Sequence, residues 1–302
     1  MTAFRGGERL GSVPVEYSDP DRTQLAVLGS PIAHSLSPTL HTAAYDVLGV
    51  PFTYGRHEVA SGGLDAFVAG LGPDWRGLSL TMPLKRDVLP MLDRTTPLVD
   101  ELGVANTVAF RQEGGRIVTA GANTDVEGIV RPVEALGHLP GEATILGGGA
   151  TAASALAAAV RLGAVDVRLF LRDTAKAGPL VELAVRLGVT LEVLPTDSLP
   201  GTRHGFLVST LPGGAADPLE LLPSGPDAVL FDVAYEPWPT AAASRWAAAG
   251  GRVLNGLDML TEQAIGQIRF FLTGDDTALL PDEAAVRRAM RLSVGLPETI
   301  TA

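Results

Sequence analysis

The sequence predicts an α/β protein of two domains, one of them a doubly wound nucleotide-binding domain. Its 302 residues suffice for about two domains. Short apolar runs that end in glycine alternate with segments of helical spacing, which is typical of α/β proteins. A glycine-rich turn, Gly147-Gly148-Gly149-Ala150-Thr151-Ala152, joins one such run to one such segment, as a dinucleotide site requires.

The first half of the chain begins with a polar stretch over residues 1–22, which we expect to be a mobile tail. A buried strand is predicted at Gln24–Gly29. Ser37 before Pro38 suits a helix cap with proline in the first turn, and this helix should stop at Gly49. Further strands are predicted over 52–59, 77–81 and 107–110, with helices between them.

The second half repeats the alternation after Asp125. Strands are predicted over 143–146, 166–171, 189–194, 205–209, 228–233 and 252–255, and helices over 151–162, 180–187 and before Gly250. This βαβ series is that of a doubly wound nucleotide domain. The segment from Asp258 has helical spacing, but periodicity does not say which domain it joins.

Composition excludes several classes of function. The chain is 46% hydrophobic and 19% charged, as a folded protein is. A formal charge of −11 opposes broad attraction to nucleic acid or anionic membranes. Because there is no cysteine and the five histidines show no ligand spacing, we expect no disulfide, metal site or cysteine nucleophile. The N-terminus lacks the apolar core of a secretory signal, so we expect a cytoplasmic protein.

The glycine turn predicts where a dinucleotide binds. Gly147, Gly149 and Ala152 match G-x-G-x-x-A, which allows a tight turn, close approach of a pyrophosphate and close helix–strand packing. The helix N-terminus would bind the anion without a lysine. The alternative is an ordinary tight turn between a strand and a helix.

The position about twenty residues further along contacts the adenosine ribose in such folds. It carries Arg172, followed by Asp173 and Lys176. A guanidinium suits the 2′-phosphate of NADP, whereas a carboxylate suits the free hydroxyl of NAD. Two cations against one carboxylate favour NADP, although all three charges would also suit a solvated loop.

Thr81, Lys85 and Asp125 form a second group of candidate residues. A lysine beside a hydride carrier can donate a proton to a developing alkoxide, and a carboxylate can orient it. Lys85 in isolation would suit a surface position, and Asp125 would suit a helix cap. Because both belong to polar motifs between apolar strands, we favour an acid–base pair for carbonyl reduction.

With these motifs assembled, the chain resembles the shikimate dehydrogenase family from about Gln24 to beyond Gln263. The motifs that carry the resemblance are Ser35-Leu-Ser37-Pro38, Thr81-Met-Pro-Leu-Lys85, Ala105-Asn106-Thr107, Asn123-Thr124-Asp125, Tyr235 with Pro237 and Thr240, and Gly256-Leu-Asp-Met-Leu-Thr-Glu-Gln263. The chain departs from the family pattern at several positions. Ser79, Leu171 and Ser209 stand where asparagine is usual, and Asp173 where threonine is. The glycine turn reads Gly-Gly-Gly-Ala-Thr rather than Gly-Ala-Gly-Gly-Ala.

The resemblance implies a role for each matched residue. Lys85 and Asp125 would be the acid–base pair, and Asp125 would also contact a substrate hydroxyl. Ser35, Ser37 and Tyr235 would hold a substrate carboxylate. Thr81, Asn106 and Gln263 would bind ring hydroxyls or brace Lys85. The expected cofactor-binding residues are Gly147, Gly148, Gly149, Ala150, Thr151, Arg172, Asp173, Lys176, Val233 and Gly256.

The resemblance also implies an architecture and a reaction. Residues 23–124 and 257–302 would form an α/β substrate domain completed by C-terminal helices, and residues 125–256 a Rossmann-like NADP domain. The expected reaction is reversible reduction of 3-dehydroshikimate to shikimate by a monomer or homodimer, without metal. Two alternatives are an NAD-preferring quinate/shikimate dehydrogenase and a non-catalytic sensor of shikimate-like acids.

Overall fold

The computed structural model describes residues 23–301. The tail expected over residues 1–22 therefore lies outside the described part of the chain. Two six-stranded sheets and the helices that cover them form most of this part. No helix within residues 23–301 is long and apolar enough to cross a membrane.

The first sheet has the strand order β2-β1-β3-β5-β6-β4. Strands β1, β2 and β3 are parallel, whereas β5 and β6 are an antiparallel hairpin beside β3. The elements of this half are β1 (Gln24–Gly29), α1 (Ser37–Leu48), β2 (Thr53–Glu58), α2 (Leu64–Ala69), β3 (Trp75–Leu80), α3 (Leu84–Asp87), β4 (Arg94–Thr95), α4 (Pro97–Leu102), β5 (Thr107–Glu113) and β6 (Arg116–Ala122).

The second sheet is parallel throughout and has the order β14-β13-β11-β7-β8-β9. Counted from β7, this is the 3-2-1-4-5-6 order of a dinucleotide-binding fold, which confirms the predicted fold class. The elements are α5 (Asp125–Ala135), β7 (Glu142–Leu146), α6 (Ala150–Arg161), β8 (Asp166–Leu171), α7 (Gly178–Leu187), β9 (Thr190–Pro195), β10 (Arg203–His204), β11 (Phe206–Ser209), β12 (Leu222–Pro223), β13 (Val229–Asp232), α8 (Ala241–Ala248) and β14 (Arg252–Leu254).

The strand predicted over 107–110 is present and extends to Glu113, but its partner β6 was not predicted. Gly114 and Gly115 have φ angles of 57° and 83°, which suit a two-residue hairpin turn between them. The predicted start of α1 was wrong. Ser37 is not the cap of α1: it lies in the first turn, and the residue at the cap position is Leu36, whose side chain makes no capping bond. Gly49 ends α1 in the left-handed conformation, as predicted.

Helix α9 (Gly256–Thr273), followed by α10 (Glu283–Ser293), joins the two halves. Ala264, Ile265 and Ile268 of α9 pack into the core of the first sheet with α1 and β1. Met259, near its start, belongs to the core of the second sheet. Helix α9 therefore packs against both sheets, and its N-terminus lies between them.

A buried ion pair holds that N-terminus. Asn255 and Asp258 cap α9 reciprocally, and Arg291 of α10 donates to Asp258 Oδ1 at 2.9 Å. Arg291 also donates to the carbonyl oxygens of Pro297 and Thr299. The two charged side chains are 1% and 5% exposed, so neither charge has water as an alternative partner.

We predict that Arg291→Met lowers the free energy of unfolding by about 3–5 kcal/mol, because it leaves the Asp258 carboxylate buried without its cation. The matched control is Arg288→Met, which removes an exposed pair with Glu298 and should cost less than about 1 kcal/mol. Urea denaturation measures both values. Equal losses in the two variants would contradict the prediction.

Candidate active site

The centre of the site is the ion pair between Lys85 and Asp125. Lys85 lies in the short helix α3 directly after β3, and Asp125 is the first residue of α5. Lys85 Nζ donates to Asp125 Oδ2 at 2.5 Å. Lys85 is 8% exposed and Asp125 0%. The two residues that the sequence predicted as an acid–base pair therefore meet in a buried place.

Asn106 fixes the second oxygen of that carboxylate. Its amide nitrogen donates to Asp125 Oδ1 at 2.8 Å, and its own oxygen accepts from the Thr124 N–H and the Thr107 hydroxyl, both at 2.9 Å. These donors fix the orientation of the amide. Asn106 thus contacts Asp125 and not Lys85, and it leaves Oδ2 to the lysine.

Lys85 faces a cavity of about 270 Å³ between the two sheets. Asp125 and Asn106 lie behind the lysine and do not line the cavity. Of the predicted substrate-binding residues, the cavity brings together Ser35, Ser37, Thr81, Tyr235 and Gln263. It is also lined by Ser79 and Gln267, and Gln267 was missed by sequence reasoning.

The loop before α1 is held in place by a cation. Arg56 of β2 donates through Nη1 to the carbonyl oxygens of Ala33 and Ser35, at 2.6 and 3.1 Å. The Ser35 hydroxyl accepts from the Ser37 N–H at 3.4 Å. The Ser37 N–H is thus already engaged and Pro38 has no N–H. The two serine hydroxyls, together with the dipole at the N-terminus of α1, are therefore the groups that suit an anion at this wall of the cavity.

The glycine turn lies at the other wall, where the strand order reverses between β7 and β11. Gly147 has a φ angle of 102°, and an added Cβ would lie 2.6 Å from the Thr210 hydroxyl. A Cβ on Gly149 would meet no non-neighbouring atom within 4 Å in the described part of the chain. The turn therefore leaves room for a ligand next to Gly149, at the N-terminus of α6.

Three further predicted cofactor residues, Thr151, Val233 and Gly256, line the same cavity. Gly256 begins α9 against the Val233 carbonyl oxygen, and a Cβ there would overlap with that oxygen. Close packing of two backbones explains the glycine. The cavity thus opens onto the predicted dinucleotide site.

The predicted ribose-contacting residues lie in the turn after β8. Asp173 accepts from the Ala175 N–H at 3.2 Å, and its other oxygen lies 3.6 Å from Lys176 Nζ. Arg172 is exposed and makes no ion pair within residues 23–301. The Asp173 carboxylate is therefore turned toward its own loop, and Arg172 remains available to an incoming anion.

Comparisons of the sequence and of the structure with known proteins all find shikimate dehydrogenases. A family model of the shikimate dehydrogenase substrate binding domain matches residues 27–108. A shikimate dehydrogenase (NADP(+)) of a Synechococcus strain is 35% identical over 283 residues, covering 88% of this chain and 92% of its own length.

Two solved structures have the same fold. The Mycobacterium tuberculosis shikimate dehydrogenase is 38% identical, with a TM-score of 0.74 over 89% of this chain and 99% of that one. The Thermus thermophilus shikimate 5-dehydrogenase, solved with NADP(H) and shikimate, is 30% identical, with a TM-score of 0.72 over 90% of this chain and 99% of that one.

The glycine turn yields a prediction with an internal control. Gly149 has a φ angle of −83°, so Gly149→Ala should keep the melting temperature and weaken dinucleotide binding about tenfold, or 1.4 kcal/mol. Gly147→Ala, strained by its positive φ, should lower the stability by about 1–3 kcal/mol. Thermal melts and fluorescence titration of the dinucleotide measure both effects. Unchanged binding by Gly149→Ala would remove the turn from the cofactor site.

Proposed function

The chain belongs to the shikimate dehydrogenase family, and we propose that it catalyses the NADPH-dependent, reversible reduction of 3-dehydroshikimate to shikimate in chorismate biosynthesis. The observation that carries this function is the Lys85–Asp125 pair at 2.5 Å, with Lys85 facing a cavity that Thr151 and Gly256 also line. Carbonyl reduction requires a proton donor next to a site for a hydride carrier.

Lys85 has the role of general acid in this proposal. NADPH held beside the glycine turn, Thr151 and Gly256 would supply the hydride for the carbonyl carbon. Lys85 Nζ donates a proton to the carbonyl oxygen as negative charge develops on it, so that C=O becomes CH–OH. In the oxidative direction the lysine accepts that proton. Asp125 holds Nζ in position and stabilises its positive charge.

The substrate carboxylate would bind at the opposite wall, beside Ser35 and Ser37. Both hydroxyls can donate to it, and the N-terminus of α1 adds a favourable helix dipole. Arg56, which holds this loop, adds positive charge nearby. Tyr235 lines the same cavity and can donate to the second carboxylate oxygen.

The remaining predicted residues complete the proposal. Thr81 and Gln263 would bind ring hydroxyls, and Asn106 would position Asp125. The glycine turn, Ala150, Thr151, Val233 and Gly256 would hold the dinucleotide, and Arg172 with Lys176 its 2′-phosphate. We further propose that the domain boundaries lie at residues 124/125 and 256/257. The protein would be cytoplasmic and would act as a monomer or homodimer.

An absorbance assay of nicotinamide reduction tests the function. Purified protein is offered shikimate or quinate, each with NADP and with NAD. Fastest turnover with shikimate and NADP is the expected result. Oxidation of quinate with NAD at a comparable or higher rate would favour a catabolic quinate/shikimate dehydrogenase. Tight shikimate binding in calorimetry without turnover would favour a sensor.

We predict that Lys85→Met lowers kcat by roughly 10²–10⁴ while the KM for shikimate changes only a few-fold, because proton donation acts in the transition state. The matched control is Arg86→Met, which removes the exposed cation next in sequence and should keep kcat. Steady-state kinetics of both variants is the measurement. Near-normal turnover by Lys85→Met would show that Lys85 is not the general acid and contributes at most to substrate binding or to solubility.

The cofactor preference yields a second prediction. Arg172→Ala should weaken NADP affinity by roughly ten- to a hundredfold, the loss of one charge-assisted phosphate contact, and leave NAD affinity nearly unchanged. Asp173→Asn removes a like charge and should increase the preference for NADP. The kcat/KM values for both cofactors measure the effects. Equal weakening of NADP and NAD in Arg172→Ala would count against a phosphate contact.

A further inference from the structure

A buried hydrogen-bonded chain ends at the cavity wall beside Ser79 and Gln267. Tyr54 donates to Ser79 Oγ at 2.7 Å, and Ser79 Oγ donates to Gln267 Oε1 at 2.9 Å. His41 Nε2 contacts the same Gln267 oxygen at 3.2 Å, and its Nδ1 contacts the Tyr45 hydroxyl at 2.9 Å. The His41 ring stacks on Tyr54 with centroids 3.8 Å apart.

The direction of each bond in this chain is fixed. Burial lowers the pKa of His41 to about 3, so the ring is neutral and carries one proton. Because Gln267 Oε1 only accepts, that proton is on Nε2, and Nδ1 accepts from Tyr45. Burial raises the pKa of Tyr54, so its phenol stays a donor.

The opposite orientation of the Gln267 amide is disfavoured. It would present the amide N–H to His41 Nε2, which would then have to accept. The ring proton would therefore lie on Nδ1, and Nδ1–H would donate to the Tyr45 hydroxyl. The Tyr45 hydroxyl proton would then have no acceptor among residues 23–301, in a side chain that is 3% exposed. An unpaired buried donor is destabilising because it has lost its hydrogen bond to water without gaining another. The network therefore selects one orientation of the amide.

That orientation leaves a matched pair of groups at the cavity. Gln267 Oε1 accepts from Ser79 and from His41, whereas its amide nitrogen donates to no group among the described residues. Gln267 is 3% exposed and lines the cavity. Ser79 Oγ donates once and accepts once, which leaves one lone pair. A free N–H donor beside a free lone pair complements a hydroxyl, whereas a carboxylate would meet the lone pair with repulsion.

Building on the proposed function, we propose that Gln267 determines substrate specificity by donating to one ring hydroxyl of shikimate, whose proton Ser79 Oγ accepts. The hydroxyl in question is one of the two that the reaction does not oxidise. His41 and Tyr45 are positioning residues, since they hold the Gln267 oxygen away from the cavity. A substrate analogue that lacks this hydroxyl would leave both Gln267 and Ser79 without a partner. The enzyme should therefore discriminate against such analogues.

A cycle of variants and substrate analogues tests this assignment. Wild type, Gln267→Met and Ser79→Ala are assayed with shikimate and with the two analogues that each lack one non-reacting hydroxyl. We expect both variants to lose roughly ten- to a hundredfold in kcat/KM with shikimate. With one of the two analogues the same substitutions should cost almost nothing, because the contact is already absent. The control is Gln112→Met at an exposed position of β5, which should match wild type on all three substrates.

Two outcomes would overturn the assignment. One is no loss in either variant; the other is a loss that neither analogue abolishes, as expected of a merely structural role or of a carboxylate contact. If Gln267→Met does not fold, Ser79→Ala alone decides, since it removes the acceptor for the same substrate hydroxyl. Absence of shikimate turnover in wild type would instead refute the proposed function, so the two failures are distinguishable.

Discussion

The buried contact between Lys85 and Asp125 is the constraint on which the site depends. Moving an ammonium out of water costs several kcal/mol unless a carboxylate compensates, and a buried carboxylate needs donors on both oxygens. Asn106 supplies one donor and Lys85 the other. A backbone hydrogen bond holds the two donors close together, since the N–H of Ala105, next to Asn106, donates to the Lys85 carbonyl oxygen at 2.9 Å. Strand β5 and helix α3 are thereby joined where the pair forms.

The two sheets meet at this pair through α5 and α9. Asp125 begins α5, and Gly128 of α5 lies so close to α9 that an added Cβ would be 2.9 Å from the Met259 carbonyl oxygen. The N-terminus of α9 in turn lies against Val233 at the end of the nucleotide sheet. Arg291 of α10 holds that N-terminus through its ion pair with Asp258. Two tightly packed helices thus fix the position of Lys85, beside the first sheet, relative to the glycine turn of the second sheet.

The nucleotide-binding half could largely be predicted from the sequence, because glycines mark the ends of its apolar strands and its ribose-contacting position follows the glycine turn at a regular distance. The choice of lysine at position 85 carries a signal of its own. Only two of the 23 basic residues are lysines, and an arginine would not give up its proton. The hairpin of β5 and β6 was also signalled, by Gly114-Gly115.

Other features depend on tertiary contacts that no local pattern reveals. The proximity of Asn106 to Asp125 could not be derived from spacing, because a polar residue after a strand has many possible partners. Gln267 was missed since its partner His41 is 226 residues away and helical spacing gives no reason to single it out. The start of α1 was misplaced because serine before proline satisfies both a cap and a first turn.

The most direct test of the Lys85–Asp125 pair as one catalytic unit is a double-mutant cycle of Lys85→Met and Asp125→Asn, with kcat as the measured quantity. If the carboxylate acts only through the lysine, the double variant should be no slower than the slower single variant, within a few-fold. Losses that multiply in the double variant would show two independent functions and would contradict action as a unit.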